Sequence, residues 1–144
     1  MLKIGLIMVV PALALSLTAC GDDDDSGDTA GEAEVHATLE DFEIKLDETS
    51  AVAGPVVFVV DNQGPSVHEF VVVKTDLAAD ALPTDENGDV DEEGEGITAV
   101  DEIEDIEDGA SPKLEVDLEP GDYVVLCNLP GHYRQGMHAA FTVT

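Results

Sequence analysis

Y-V-V-L-C-N-L-P-G-H-Y-R-Q-G-M, residues Tyr123 to Met137, is the stretch on which the reading of this chain turns. The apolar, β-branched run from Tyr123 to Leu126 reads as a strand. It delivers Cys127 into a loop punctuated by Pro130, Gly131 and Gly136. His132 stands five residues after Cys127, and Met137 five after His132. A thiolate, an imidazole and a thioether on one short loop are soft or borderline donors. They suit copper, whereas magnesium and calcium take oxygen. Taken singly, each has an ordinary explanation: Cys as a small buried hydrophobe, Met as core filler, His as a surface residue. Their joint spacing after a strand is what a ligand loop between two strands requires. Two His and a Cys in a plane, with a weak axial Met, form the donor set of a blue-copper electron-transfer site. The loop supplies three of those four groups.

The second histidine must come from elsewhere, and His68 is the candidate. It opens the apolar run Val67 to Val73, directly after the turn residues Asn62-Gln63-Gly64-Pro65. His36 lies on the polar phase of an early strand. His138 adjoins Met137, so the two side chains diverge on an extended backbone. Both are expected at the surface.

The wording C-N-L-P-G-H-Y-R-Q-G-M and its C-x4-H-x4-M spacing resemble the cupredoxins, the small blue-copper proteins, and most of all their sulfocyanin and rusticyanin branch. The resemblance runs from about residue 35 to the end. It implies an all-β, antiparallel Greek-key β-sandwich and one type 1 copper ion held by His68, Cys127, His132 and Met137. It also implies a one-electron carrier rather than an enzyme. His132 lies in the small or apolar setting of Leu129, Pro130, Gly131 and Tyr133, so its ring edge is the expected electron exit. Glu69 departs from the pattern, since many members carry Asn or Ser after the first His. Its carboxylate could compete as an oxygen ligand, although strand alternation points it away from His68. A multicopper oxidase or nitrite reductase needs further His, often flanking the Cys, and Leu126 and Asn128 stand there. The alternative is a copper delivery or storage lipoprotein. Such proteins usually expose Met- and His-rich sites, and three Met with four His leave little surplus.

The N-terminus addresses location. Lys3 precedes the apolar run Ile4 to Leu17, which is too short for a comfortable membrane span and is soon followed by acids. It ends Leu17-Thr18-Ala19-Cys20, which resembles the bacterial lipoprotein signal. That implies a signal peptide over residues 1–19, acylated Cys20 as the first mature residue, and an extracytoplasmic protein anchored to the cell membrane by lipid. A Cys20–Cys127 disulfide, the other use of two Cys in an exported chain, would consume the proposed ligand. Residues 20–34, rich in Asp and Gly, read as an acidic tether with no core of its own.

The formal charge is −28, from 33 acids and five bases. Removing residues 1–19 takes away Lys3 and no acid, giving −29. So few bases argue against nucleic acid, because phosphate binding needs Lys and Arg. They favour a redox partner with a basic docking surface, approached by a monomer.

The remaining chain, 35–144, reads as one domain. Val35, Ala37 and Leu39, then Phe42, Ile44 and Leu46, alternate with polar residues and predict two half-buried strands. Further strands are expected over Val56 to Asp61, Val67 to Val73, Ser111 to Leu118, Tyr123 to Cys127, and about Ala139 to Thr144. Residues of about 75–110 carry 15 acids and no base. They predict a long, solvated acidic insert, with a helical turn over Leu77 to Leu82 and with Ile103 and Ile106 pinning it down. Asp85 to Asp91 resembles a calcium loop, but Val90 stands where that pattern wants Gly.

Overall fold

A computed structural model describes residues 31–144, so the signal peptide, Cys20 and most of the tether lie outside the described residues. Nine strands follow in chain order: β1 (Ala33–Glu40), β2 (Glu43–Leu46), β3 (Ser50–Ala51), β4 (Gly54–Asn62), β5 (His68–Lys74), β6 (Thr98–Ile106), β7 (Lys113–Leu118), β8 (Gly121–Leu126) and β9 (His138–Val143). They form one four-stranded sheet, β2-β1-β4-β7, and one five-stranded sheet, β3-β9-β8-β5-β6. The sandwich is as expected, but its sheets are mixed rather than purely antiparallel. β1 runs parallel to β4, and β3 parallel to β9. β1 begins at Ala33, which pairs with Val56, so the strand starts before the period-two pattern becomes visible.

The main core lies between the sheets. Val35, Ala37 and Leu39 of β1 meet Val56, Phe58 and Val60 of β4 and Phe70 and Val72 of β5. Phe58 packs on Phe70 and on Phe141 with ring centroids 5.3 Å apart in each pair, joining the two sheets. Tilted and edge-on aromatic pairs of this kind add to simple area burial.

The acidic insert is corrected by the structure. Its second part, Thr98–Ile106, is the edge strand β6, antiparallel to β5. Ile106 is buried in the main core and Ile103 packs against it, so these two residues do anchor the segment, but from within a strand. The first part is not merely solvated. β5 and β8 are apolar on both faces, and the outer face needs a cover. Leu82 and Val90, each 5% exposed, pack with Val71, Val73, Val124, Leu126 and Tyr133 in a second core. The expected helical turn at Leu77 to Leu82 is a lone turn, closed by Ala81 N–H donating to Ala78 O.

Tyr133 fastens this cover. Its hydroxyl donates to Ala79 O and accepts from Leu82 N–H, both at 2.9 Å. Tyr133→Phe keeps the ring and strands both backbone groups. It should destabilise the domain by about 1–3 kcal/mol. Urea unfolding measures this, and proteolysis should quicken within residues 75–97 if the cover loosens first.

Candidate metal centre

β5 and β8 are neighbours, and alternation sets which side chains share a face. His68, Phe70 and Val72 point between the sheets, as do Tyr123, Val125 and Cys127. Asn62 fixes the turn that leads into β5. Its side-chain amide donates to Ser66 O (2.9 Å) and Ile106 O (2.7 Å), and its carbonyl accepts from Gly64 N–H (2.8 Å). His68 therefore starts its strand from a tethered position.

The loop after β8 is closed by its own backbone. Cys127 N–H donates to Met137 O (3.0 Å), Met137 N–H to His132 O (3.2 Å) and His132 N–H to Leu129 O (2.9 Å). A single 3-10 turn, Tyr133–Gln135, ends at Gly136 with φ +107°, a left-handed value suited to glycine. That reversal returns the chain to Met137 and into β9.

These elements bring His68, Cys127 and His132 together, with one ligand atom from each lying within 4.8 Å of the others. Nδ1 of His132 is 3.3 Å from Nδ1 of His68 and 3.3 Å from Sγ of Cys127; Sγ is 3.9 Å from Nδ1 of His68. Bonds of about 2.0 Å to nitrogen and about 2.3 Å to sulfur, spread at 120°, require edges of about 3.5 and 3.7 Å. The donor triangle has the size of a metal site. Met137, fully buried, shares the main core with Cys127. The four side chains make a site compatible with one type 1 copper ion.

Burial governs the protonation of the two most enclosed titratable donors. It pushes the Cys127 thiol above its ordinary pKa, against the N–H groups of Glu69 and Leu129. It pushes His68 down, helped by His132 and opposed by Asp41. Both shifts favour the neutral forms of these two side chains.

The Glu69 carboxylate is not among the clustered donors. Instead its backbone N–H donates to Cys127 Sγ at 3.3 Å, and its side chain leaves on the opposite face of β5. Its carboxyl is raised by burial and by Glu102, Glu104 and Glu92. Of the other histidines, His36 is exposed beside Glu34. His138 is half-buried, its ring centroid 5.1 Å from that of Tyr133, so it is not the surface residue expected.

The insert abuts the ligand loop. Asn128 clamps Val90 on both backbone groups, accepting from its N–H (2.7 Å) and donating to its O (3.1 Å), and also donates to Glu92 (2.8 Å). Gly131 N–H donates to Asp89 (3.0 Å). Asp85, in the segment resembling a calcium loop, accepts from the N–H groups of Asn87, Gly88 and Asp89. These carboxylates serve as turn and loop acceptors.

Phe42 was expected to face inward on a strand. It sits in the β1–β2 turn with φ +67°, 36% exposed, and meets His132 edge-on at 5.2 Å. Its neighbour Asp41 approaches His68. The alternation pattern concealed both contacts, because they depend on where the turn folds.

No family model and no curated protein matches this sequence. Solved structures do. Reduced auracyanin from Roseiflexus castenholzii aligns with a TM-score of 0.57 at 19% identity, covering 78% of this chain and 98% of its own. Auracyanin A from Chloroflexus aurantiacus, described as a "blue" copper protein, aligns at 0.51 and 19% identity, covering 78% and 100%. Rusticyanin from Thiobacillus ferrooxidans aligns at 0.54 and 15% identity, covering 77% of each. The chain has the cupredoxin fold. In this cupredoxin fold the donors come from the start of β5 and from the loop between β8 and β9, and a cover built from residues 75–97 lies beside that loop.

Proposed function

We propose that this chain is an extracytoplasmic blue-copper protein, held to the membrane by lipid on Cys20, that carries single electrons between redox partners. The observation that carries the reading is the clustering of one thiol and two imidazoles within 4.8 Å, with Cys127 and His68 sealed from solvent. Copper, when bound, supplies a one-electron couple between its two oxidation states. Cys127 provides the thiolate, His68 and His132 the nitrogens, and Met137 the weak axial thioether. The packed sandwich keeps these groups in place whichever oxidation state is present, so little rearrangement opposes transfer.

Access is confined to one side. His132 is partly exposed, among Phe42, Leu129, Pro130 and Gly131. This modestly apolar patch suits brief docking over a small area. The chain as a whole is strongly acidic, with Arg134 the one Lys or Arg in the loop from Cys127 to Met137, and such a net charge speeds the approach of a basic partner. A delivery or storage role fits less well, because three of the four donors are fully buried.

Stopped-flow electron exchange with a basic redox protein tests the carrier reading. The rate should fall steeply as salt rises, since exposed charges are screened over about 8 Å at physiological ionic strength. A flat response would reduce the acids to a solubility device. Copper that passes to an apo-acceptor without useful electron exchange would replace the carrier with the delivery reading. Anchoring is tested separately by mass spectrometry of the mature N-terminus, where an unmodified Cys20 would refute it.

A further inference from the structure

We infer that Asp41 is a positioning residue of the metal centre: its carboxylate, placed beside the outer ring nitrogen of His68, is the acceptor for that N–H when the ring binds copper and strengthens the ring as a donor. The inference rests on the copper reading and adds a residue from a third part of the chain, the turn between β1 and β2.

Four observations carry it. The His68 side chain is wholly buried, and its Nδ1 faces Cys127 and His132. A neutral imidazole that offers Nδ1 to a metal must keep its proton on Nε2. Nε2 is buried and has no hydrogen-bond partner, because its contact with Asp41, although close, is not aligned as a hydrogen bond. An unpaired buried donor loses its hydrogen bonds to water and gains nothing in return, so an acceptor is required there. Asp41 Oδ1 lies 3.3 Å from Nε2, and the Asp41 side chain is 30% exposed.

Asp41 is itself held. Ser66 N–H donates to its Oδ1 and Ser66 Oγ to its Oδ2, each at 3.2 Å. Ser66 is held in turn through its carbonyl by Asn62. The carboxylate is thus fixed relative to the start of β5, where His68 stands.

The turn is not built for local stability. Asp41 and Phe42 link Glu40 to Glu43 as a two-residue hairpin connection. Positive φ in such a connection favours Gly or Asn, yet Phe42 occupies φ +67°. The aromatic ring placed by that strained backbone meets His132. One turn therefore touches both histidines, Asp41 at His68 and Phe42 at His132.

A carboxylate on the far nitrogen makes a ligating imidazole more basic and fixes its orientation. Its negative charge favours copper(II) over copper(I) and lowers the reduction potential. The test compares copper-loaded wild type, Asp41→Asn and Ser66→Ala. Asp41→Asn retains size and one acceptor oxygen but removes the charge. It should weaken copper(II) roughly 10- to 100-fold, the usual cost of losing such a partner. Each tenfold loss confined to copper(II) raises the potential by about 59 mV. Ser66→Ala loosens the turn but keeps the charge, so it should lower the urea midpoint and shift the potential much less. Wild-type protein with a normal blue band, beside an Asp41→Asn variant of unchanged affinity and potential, would overturn the inference. Should that variant not fold, NMR of wild-type copper(I) protein decides. A slowly exchanging, downfield His68 Nε2 proton supports the contact, and a rapidly exchanging one overturns it. Wild-type protein that stays colourless with copper(II) defeats the copper reading itself, and this inference with it.

Discussion

Cys127→Ser should abolish the intense visible band of the copper(II) protein. The band requires charge transfer from a thiolate sulfur, and Cys127 is the sole sulfur of its kind among the described residues. A serine hydroxyl is harder and stays protonated at neutral pH. The substitution is nearly isosteric at a fully buried position, and Ser Oγ can still accept from Glu69 N–H. The variant should therefore stay folded, with far-UV circular dichroism unchanged while the colour disappears. A colourless wild type, with its thiol reduced and its bound metal assayed as copper(II), would sink the blue-copper claim directly. The assay comes first because zinc accepts the same donors.

The largest effect on stability should come from Phe58→Ala. Phe58 is fully buried on β4, and its ring contacts Phe70 of β5 and Phe141 of β9 across the sandwich. Removing it leaves a cavity bordered by both sheets, at a cost of about 3–5 kcal/mol. A single domain holds only about 5–15 kcal/mol in all, so the urea midpoint should fall substantially. Phe70 lies on the strand that presents His68, so copper affinity should also drop. An unchanged midpoint would show that the sheets close without this aromatic contact.

Much of the site was legible before any fold was known. Cys127, His132 and Met137 are close in sequence, and their donor chemistry is a property of the residues alone. His68 was readable because a turn and an apolar run mark where β5 begins. One strand was not legible. β6 was hidden because it is an edge strand carrying acids on both faces, with only Ile106 fully buried. Without alternation, its composition imitates a solvated loop. A signal for the cover over β5 and β8 did exist: both strands are apolar on consecutive positions, and so need burial on two faces.

The sequence by itself determined the metal-donor chemistry, the order of the ligands and the β-rich character of the domain. Each of these is written in local residue identity or in a short-period pattern. Only the tertiary structure decided that residues 75–97 lie over the ligand strands. It alone put the Asp41–Phe42 turn against both histidines. Those contacts join residues far apart along the chain, through a hairpin turn and a long connection. Their final positions are fixed by which surfaces remain to be buried once the two sheets have closed.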